Sequence, residues 1–186
     1  MATANALDMF TLSPFDALAE YERRSLAHVA GVPEQIEAPG LWRGIGFRIG
    51  TRYLVSSINE VNEILTFPAL TLVPGTRTWL LGVANVRGNL VPLIDLKQYL
   101  EGERTQLTEA SRVLLVRQSG GSVGLLIDEV LGQRNFSQEQ RAEAVGEEDE
   151  RYARFVAEKY QLGEVRWGLF SMAALVRTPD FAQASA

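Results

Sequence analysis

Cysteine is absent from these 186 residues, so the fold has neither a disulfide framework nor a thiolate metal site. That fits a reducing compartment, and a cytoplasmic location is expected. Histidine is almost absent. His28 stands alone, without the second imidazole or thiolate that a zinc-type ligand set needs, and reads as an ordinary helix residue. Long apolar runs are missing as well. The longest, around Leu80 to Val86, is strand-sized and falls far short of the about 20 residues that span a bilayer. No basic stretch followed by an apolar one opens the chain, which speaks against a secretory signal. The acceptor-like triplet Asn135-Phe136-Ser137 therefore carries no glycosylation reading. Net positive charge is lacking too: 23 acidic residues outweigh 18 basic ones, and the net charge of -5 disfavours a nucleic-acid partner, because phosphate binding needs clustered cations. No cofactor and no metal are expected.

Catalytic signatures fare no better. Gly44-Ile45-Gly46-Phe47-Arg48-Ile49-Gly50 places its third glycine one residue late for a dinucleotide fingerprint. No glycine-rich phosphate loop ends in Lys-Ser or Lys-Thr. Ser56, Ser57 and Ser171 lack the Gly-x-Ser-x-Gly setting of a hydrolase nucleophile. Asp95, Asp128, Glu60 and Glu63 fall on separate elements and read as helix caps or salt-bridge partners rather than an acid–base pair.

A chain of this length buries roughly 70% of its unfolded surface, enough for a domain in one or two lobes. Residues 1–40 read as an extension. Ser13-Pro14-Phe15-Asp16 is a helix start, with Ser13 at the N-cap, Pro14 at the first helical position and Asp16 near the positive end. The helix is expected to run past Tyr21, Leu26 and Val29 to Gly31, followed by a linker to Gly40. Docking on the body is favoured for its interrupted apolar face, with a partner-seeking role open. Residues 41–178 form the body, and 179–186 are small and polar enough for a loose tail.

The body reads as strand-rich. Leu41 to Ile49 and Arg52 to Val55 flank a Gly50-Thr51 turn. Ile58 to Leu65 has helical apolar spacing on its own. Pro68 and Pro74-Gly75 mark a loop, and Thr76 to Leu81 suggests a short helix. Asp95 is placed to cap a short helix through Leu100. Arg112 to Arg117 and Val123 to Val130 form a second strand pair around Gly120-Gly121. The run Leu90-Val91-Pro92-Leu93-Ile94-Asp95 is echoed by Val123-Gly124-Leu125-Leu126-Ile127-Asp128, which suggests two similar lobes. A last pair, Phe155 to Tyr160 and Val165 to Phe170, turns at Gly163, and Ser171 caps a final helix.

Most informative is Gly82-Val83-Ala84-Asn85-Val86-Arg87-Gly88-Asn89-Leu90-Val91-Pro92. Two apolar runs flank a polar break, and Gly88-Asn89 is a hairpin signal. A lone arginine thus stands at the tip of an apolar hairpin. A solvated turn residue and a contact residue are both compatible with that.

Asn85-Val86-Arg87-Gly88 resembles the Asn-Leu-Arg-Gly segment of the CheW family, and Val123-Gly124 through Asp128 and Val130 resembles a second segment of it. The family's adaptors couple chemoreceptors to a histidine kinase and have no activity of their own. The likeness covers Leu41 to Val176, and the extension and divergent body are most similar to the PilI-type branch, which serves type IV pili and twitching motility. The resemblance implies a mainly β fold of two SH3-like five-stranded barrels sharing a hydrophobic groove. It replaces the helical reading of residues 58–65 with strand, and a bulge is expected near Asn59-Glu60. It implies receptor contact through Val61, Glu63, Ile64, Gly82, Asn85, Arg87 and Gly88, with Arg87 paired to Glu63. Val61 and Ile64 are equally readable as plain core. Kinase contact is expected around Val123, Gly124 and Asp128. The implied partners are a chemoreceptor cytoplasmic tip and the regulatory domain of a CheA-like histidine kinase. The chain is then a monomer outside the array, recruited to membrane-bound receptors without inserting into the membrane. Two other readings stay open: a module that binds a receptor without activating a kinase, and a small β-barrel that binds a ligand.

Overall fold

A computed structural model describes residues 13–27, 41–118, 120–142 and 149–182. The chain forms two compact units, divided between Glu37 and Ala38. The first contributes helix α1, Pro14–Ala27. Ser13 caps it as expected: its Oγ accepts the Asp16 N–H at 3.3 Å and donates to Asp16 Oδ2 at 2.7 Å. His28, Val29, the Gly31 stop and the linker to Gly40 lie outside the described residues.

The second unit is mainly β, with strands β1 Leu41–Ile49, β2 Arg52–Ser57, β3 Val61–Thr66, β4 Leu80–Val86, β5 Asn89–Asp95, β6 Arg112–Gln118, β7 Gly121–Ile127, β8 Glu129–Ser137, β9 Val156–Leu162 and β10 Val165–Phe170. Short helices α2 (Leu96–Glu101), α3 (Glu150–Ala153), α4 (Met172–Val176) and α5 (Pro179–Ala182) join them. Two five-stranded sheets result, ordered β8-β1-β2-β10-β9 and β3-β6-β7-β5-β4. The chain begins in the first lobe, builds all of the second from β3 to β7, and returns to finish the first.

The two lobes repeat one plan in permuted order. Each has a two-residue hairpin, β4–β5 or β9–β10, and each has one parallel pair, β5 with β7 or β10 with β2. In each, the chain leaving one edge strand bridges to the other edge: Thr71 pairs with Val83, and Arg141 with Tyr160. These bridges cover backbone groups that an open sheet edge would expose. The lobes are alike as the sequence echo suggested, but the echoing runs are β5 and β7, neighbours in one sheet. The true counterparts are the strand-to-helix junctions Leu93-Ile94-Asp95-Leu96 and Leu169-Phe170-Ser171-Met172, each followed by a capped helix.

Several expectations need correction. Thr76 to Leu81 forms no helix; a turn at Pro74-Gly75 leads into β4 at Leu80, because the run must supply an edge strand. Residues 58–65 are split: Ile58–Glu60 makes one 3-10 turn, β3 follows, and the register slips between Val61 and Glu63, slightly later than expected. Val123 to Val130 is not one strand, since Asp128 breaks it where the chain crosses between lobes. Residues 179–182 are not loose: α5 buries Phe181 against Trp79 and Tyr99, with ring centroids 6.2 and 5.3 Å away.

Hydrophobic burial is divided three ways. Val91, Leu93, Val113 and Leu126 fill the second lobe, while Val55, Phe136, Tyr160 and Trp167 fill the first. The largest cluster lies between the lobes and joins Phe47, Ile49 and Leu54 to Leu114, Val123, Leu125 and Ile127. A packed core therefore fills the space between the lobes. A polar brace spans the same junction. The hydroxyl of Tyr152 donates to Glu101 Oε1 at 2.8 Å, Arg151 donates to the Glu101 carbonyl at 3.1 Å, and Arg52 stacks 4.3 Å above the Tyr152 ring. Burial, together with the bond to Glu101, pushes the Tyr152 phenol well above its usual range.

Candidate functional site

The tip of the β4–β5 hairpin is a two-residue turn, with Val86 opposite Asn89. Its central residues are Arg87 and Gly88, one position earlier than the Gly-Asn signal implied. Both have positive φ, 52° and 86°, as a primed turn requires. Glycine adopts that freely and arginine does not, so the Arg87 backbone needs support. Asn85 supplies it from within the motif, its Oδ1 accepting the Gly88 N–H at 2.8 Å.

From this tip Arg87 reaches across the sheet. Its Nη2 lies 2.7 Å from Oε1 of Glu63 on β3, as the resemblance implied. Strands β3 and β4 are the two edges of the second sheet, so this ion pair spans the seam where the barrel closes. The Arg87 side chain is 78% exposed, hence the pair contributes about 1 kcal/mol or less to stability.

Beside the seam, Val61 is half-buried against the inter-lobe core, and Ile64 is exposed. Ile64 sits opposite Leu114, whose side chain belongs to the inter-lobe cluster, so Ile64 continues that apolar face beyond its cover. Leu90 does the same on β5. Val91 and Leu93 point into the barrel, so Leu90 shares the opposite face with buried Ile94, yet it is 78% exposed. Sequence reasoning missed Leu90, although its alternation with Val91 places it on the outer face. An open recess of about 490 Å³ adjoins β3 between the lobes, lined by Asn59, Glu60, Asn62, Val116, Arg117 and Ala173. Its lining mixes polar and apolar surface.

Other expected site residues are interior. Gly82 is buried with φ 143°, and a Cβ there would lie 2.5 Å from the Thr71 carbonyl oxygen. The close backbone approach it permits is that of its own chain. Val123 is 1% exposed, and a Cβ on Gly124 would meet Val113 Cγ1 at 2.8 Å and Leu93 at 3.2 Å. Neither has a face to offer a partner. Asp128 is half-buried, with Oδ2 accepting the Gly50 N–H at 2.6 Å, so it pins the β1–β2 turn at the lobe crossing.

The four carboxylates weighed as acid–base candidates are all committed to structure. Asp95, fully buried, accepts from Gln98 N, Thr105 N and Thr105 Oγ1 at 3.1, 2.8 and 2.7 Å. Glu60 reaches the start of α4, accepting from Ala173 N at 3.1 Å and Met172 N at 3.3 Å. Ser171 also caps α4, taking the Ala174 N–H at 3.1 Å. The acid that Asp95 supplies within its own junction is thus supplied to the other junction by Glu60 from a different element. Asp128 and Glu63 are engaged as described. Each of these four carboxylates is thus held by a partner on another element or in its own turn.

Residues 43–180 match the CheW-like domain family. Protein PilI of Pseudomonas aeruginosa is 44% identical over 124 residues, covering 67% of this chain and 70% of that protein. The chemotaxis protein CheW of Helicobacter pylori is 32% identical over 108 residues, 58% of this chain and 64% of its own. That of Bacillus subtilis is 29% identical over 85 residues, 46% and 54%. Among solved structures, the scaffolding protein TtCheW of Thermoanaerobacter tengcongensis superposes with a TM-score of 0.60 at 21% identity, covering 69% of this chain and 88% of that one. The paired five-stranded lobes are the fold that the resemblance implied, and the chain belongs to the CheW-like family.

Proposed function

We propose that this chain is a non-catalytic adaptor that couples a methyl-accepting chemoreceptor to a CheA-like histidine kinase in a chemosensory array, controlling twitching motility by type IV pili. The likeness to PilI supports the pilus assignment. The observation that carries the adaptor reading is the exposed Arg87 at the second-lobe seam, held by Glu63 and backed by Asn85. A charge fixed in direction beside exposed Ile64 suits a helical partner, whose register is set by a few polar anchors on an apolar strip. The receptor's helical tip lies along β3, touching Val61, Ile64 and Arg87, while Gly82 and Gly88 shape the strand and turn beneath it. Kinase contact falls at the lobe crossing that Asp128 organises, with Val123 and Gly124 supporting it from inside. No described helix is long and apolar enough to cross a membrane, and array recruitment then rests on the receptor.

Co-sedimentation with a receptor signalling tip and a CheA-like kinase, with phosphotransfer read in parallel, tests this. Ternary assembly with raised kinase activity, lost in Arg87→Glu, is the expected result. Receptor binding without activation favours the uncoupled module, and binding to neither protein overturns the reading.

A further inference from the structure

The strand pairings match the two lobes residue for residue. In the second lobe Leu93 lies opposite Gly124, Gly124 opposite Leu115, and Leu115 opposite Glu63. In the first lobe Leu169 lies opposite Val55, Val55 opposite Gly46, and Gly46 opposite Gly132. Glu63 therefore corresponds to Gly132. Along the hairpins, Asn89 after the second-lobe turn corresponds to Val165 after the first-lobe turn, so Arg87 corresponds to Gly163 and Asn85 to Gln161. The first lobe thus carries glycine at both positions of the seam ion pair, with φ 62° at Gly163 and 80° at Gly132. The barrel plan itself needs no charged side chain at either. Arg87 nonetheless stands at a φ of 52°, the one non-glycine residue with positive φ among the described residues. A side chain with a Cβ is unfavourable there and needs local support. Asn85 provides it, with Oδ1 accepting the Gly88 N–H at 2.8 Å. Gln161 bonds in the opposite sense, Nε2 donating to the Gly163 carbonyl at 2.7 Å, beside a glycine that needs no such support.

We propose, building on the adaptor reading, that Asn85 is a positioning residue for receptor binding: it holds the left-handed turn that aims Arg87 and makes no contact with the receptor itself. The Arg87 side chain is exposed and has many rotamers, so its direction depends on the backbone that carries it. With the Asn85 acceptor in place, that backbone starts the side chain across the seam toward Glu63. Without it, the turn relaxes toward conformations that suit a residue with a Cβ, and part of the population loses the ion pair. A receptor that needs the aimed arginine then sees its affinity reduced to the fraction still aimed. Asn85 is exposed too, so contact and positioning have to be told apart by chemistry. Holding the turn uses the side-chain oxygen. Direct contact draws on the amide N–H groups that are left over. Aspartate offers the oxygen and lacks the N–H.

The full chain and its Asn85→Ala and Asn85→Asp variants are compared in two ways. Without any partner, NMR relaxation of the Arg87 Nε–H group reads how firmly the side chain is held, and amide exchange reads the Gly88 N–H. Asn85→Ala should lower the Arg87 order parameter and speed Gly88 exchange about fivefold, while Asn85→Asp keeps both near wild type. With a receptor signalling tip, affinity should fall about fivefold in Asn85→Ala and hold in Asn85→Asp. Melting temperatures should stay within about 2 °C of wild type. An unchanged Arg87 order parameter in Asn85→Ala overturns the proposal. So does equal loss of affinity in both variants, which makes Asn85 a contact residue, and so does a large fall in melting temperature, which makes it a brace of the barrel. A wild-type chain that does not bind the tip instead sinks the adaptor reading, and the order parameter then decides whether Asn85 holds Arg87.

Discussion

Arg87 and Glu63 meet at 2.7 Å across the seam of the second lobe, joining its two edge strands where no backbone ladder does. Because the arginine is exposed, the pair gives direction to a charge more than strength to the barrel. Arg87→Glu should therefore shift the melting temperature by no more than about 2–4 °C. The same substitution should abolish receptor co-sedimentation. A large loss of stability would instead make Arg87 a structural brace.

Leu90 and Ile64 separate surface from fold. Leu90 is 78% exposed and Ile64 39%, so Leu90→Asp should change unfolding free energy by about 0.5 kcal/mol or less and Ile64→Asp by about 1 kcal/mol. If their apolar face receives a partner, affinity drops in both variants while the denaturation midpoint of Leu90→Asp stays in place. Unaltered affinity for both variants would remove that face from the contact.

Gly82→Ala tests the barrel closure at Thr71. The substitution puts Cβ against a backbone carbonyl at a φ of 143°, so neither atom can yield cheaply. A destabilisation of about 2–3 kcal/mol in urea unfolding is expected. An unshifted midpoint would show that the Thr71 bridge moves freely.

Glu60 acts on α4 from more than 110 residues away in sequence, as the bonds to Met172 and Ala173 show. Glu60→Ala removes a shared acceptor and should cost about 1–2 kcal/mol. The loss should be local: amide exchange accelerates at Met172 and Ala173, while Gln98, capped by Asp95, keeps its protection. Equal acceleration at both helices would mean global loosening.

The hydrogen bond from Arg151 holds the Asp149 carboxyl down to about 2, opposed in part by burial and aided by the positive charge of Arg52. A carboxyl with a depressed folded value stabilises fully above the unfolded value of about 3.9. That contribution is lost as pH falls through about 2, so the cap of α3 and its ties to Arg52 and Arg151 persist at pH 5 and loosen only in strong acid. A carboxyl carbon titration by NMR should find its midpoint near 2. A midpoint near 4 would place Asp149 outside the brace.

Local chemistry was legible wherever a residue acts on its immediate neighbours. Ser13, Asp95 and Ser171 cap helices because their oxygens reach N–H groups two or three residues on. The turns at Gly50, Gly120 and Gly163 follow from glycine's access to positive φ. Most strands were readable from β-rich runs between such turns. The hairpin motif identified Arg87, and the family resemblance supplied Glu63 as its partner.

What local pattern left open was which side of each strand becomes interior, and against what. The resemblance offered Val123 and Gly124 as contact residues, and only the packing shows that both faces of their strand are covered. The helix-like spacing of residues 58–65 became a turn and an edge strand because β6 offered a ladder that an isolated helix could not match. The role of Glu60 and the packed core between lobes depend on elements brought together from distant parts of the chain. Composition and short-range pattern settled most of the turns and caps, since those bonds close within a few residues, and placed most of the strands. The permuted pairing of the two lobes settled the rest, because burial and long-range charge contacts exist only once the chain has returned on itself.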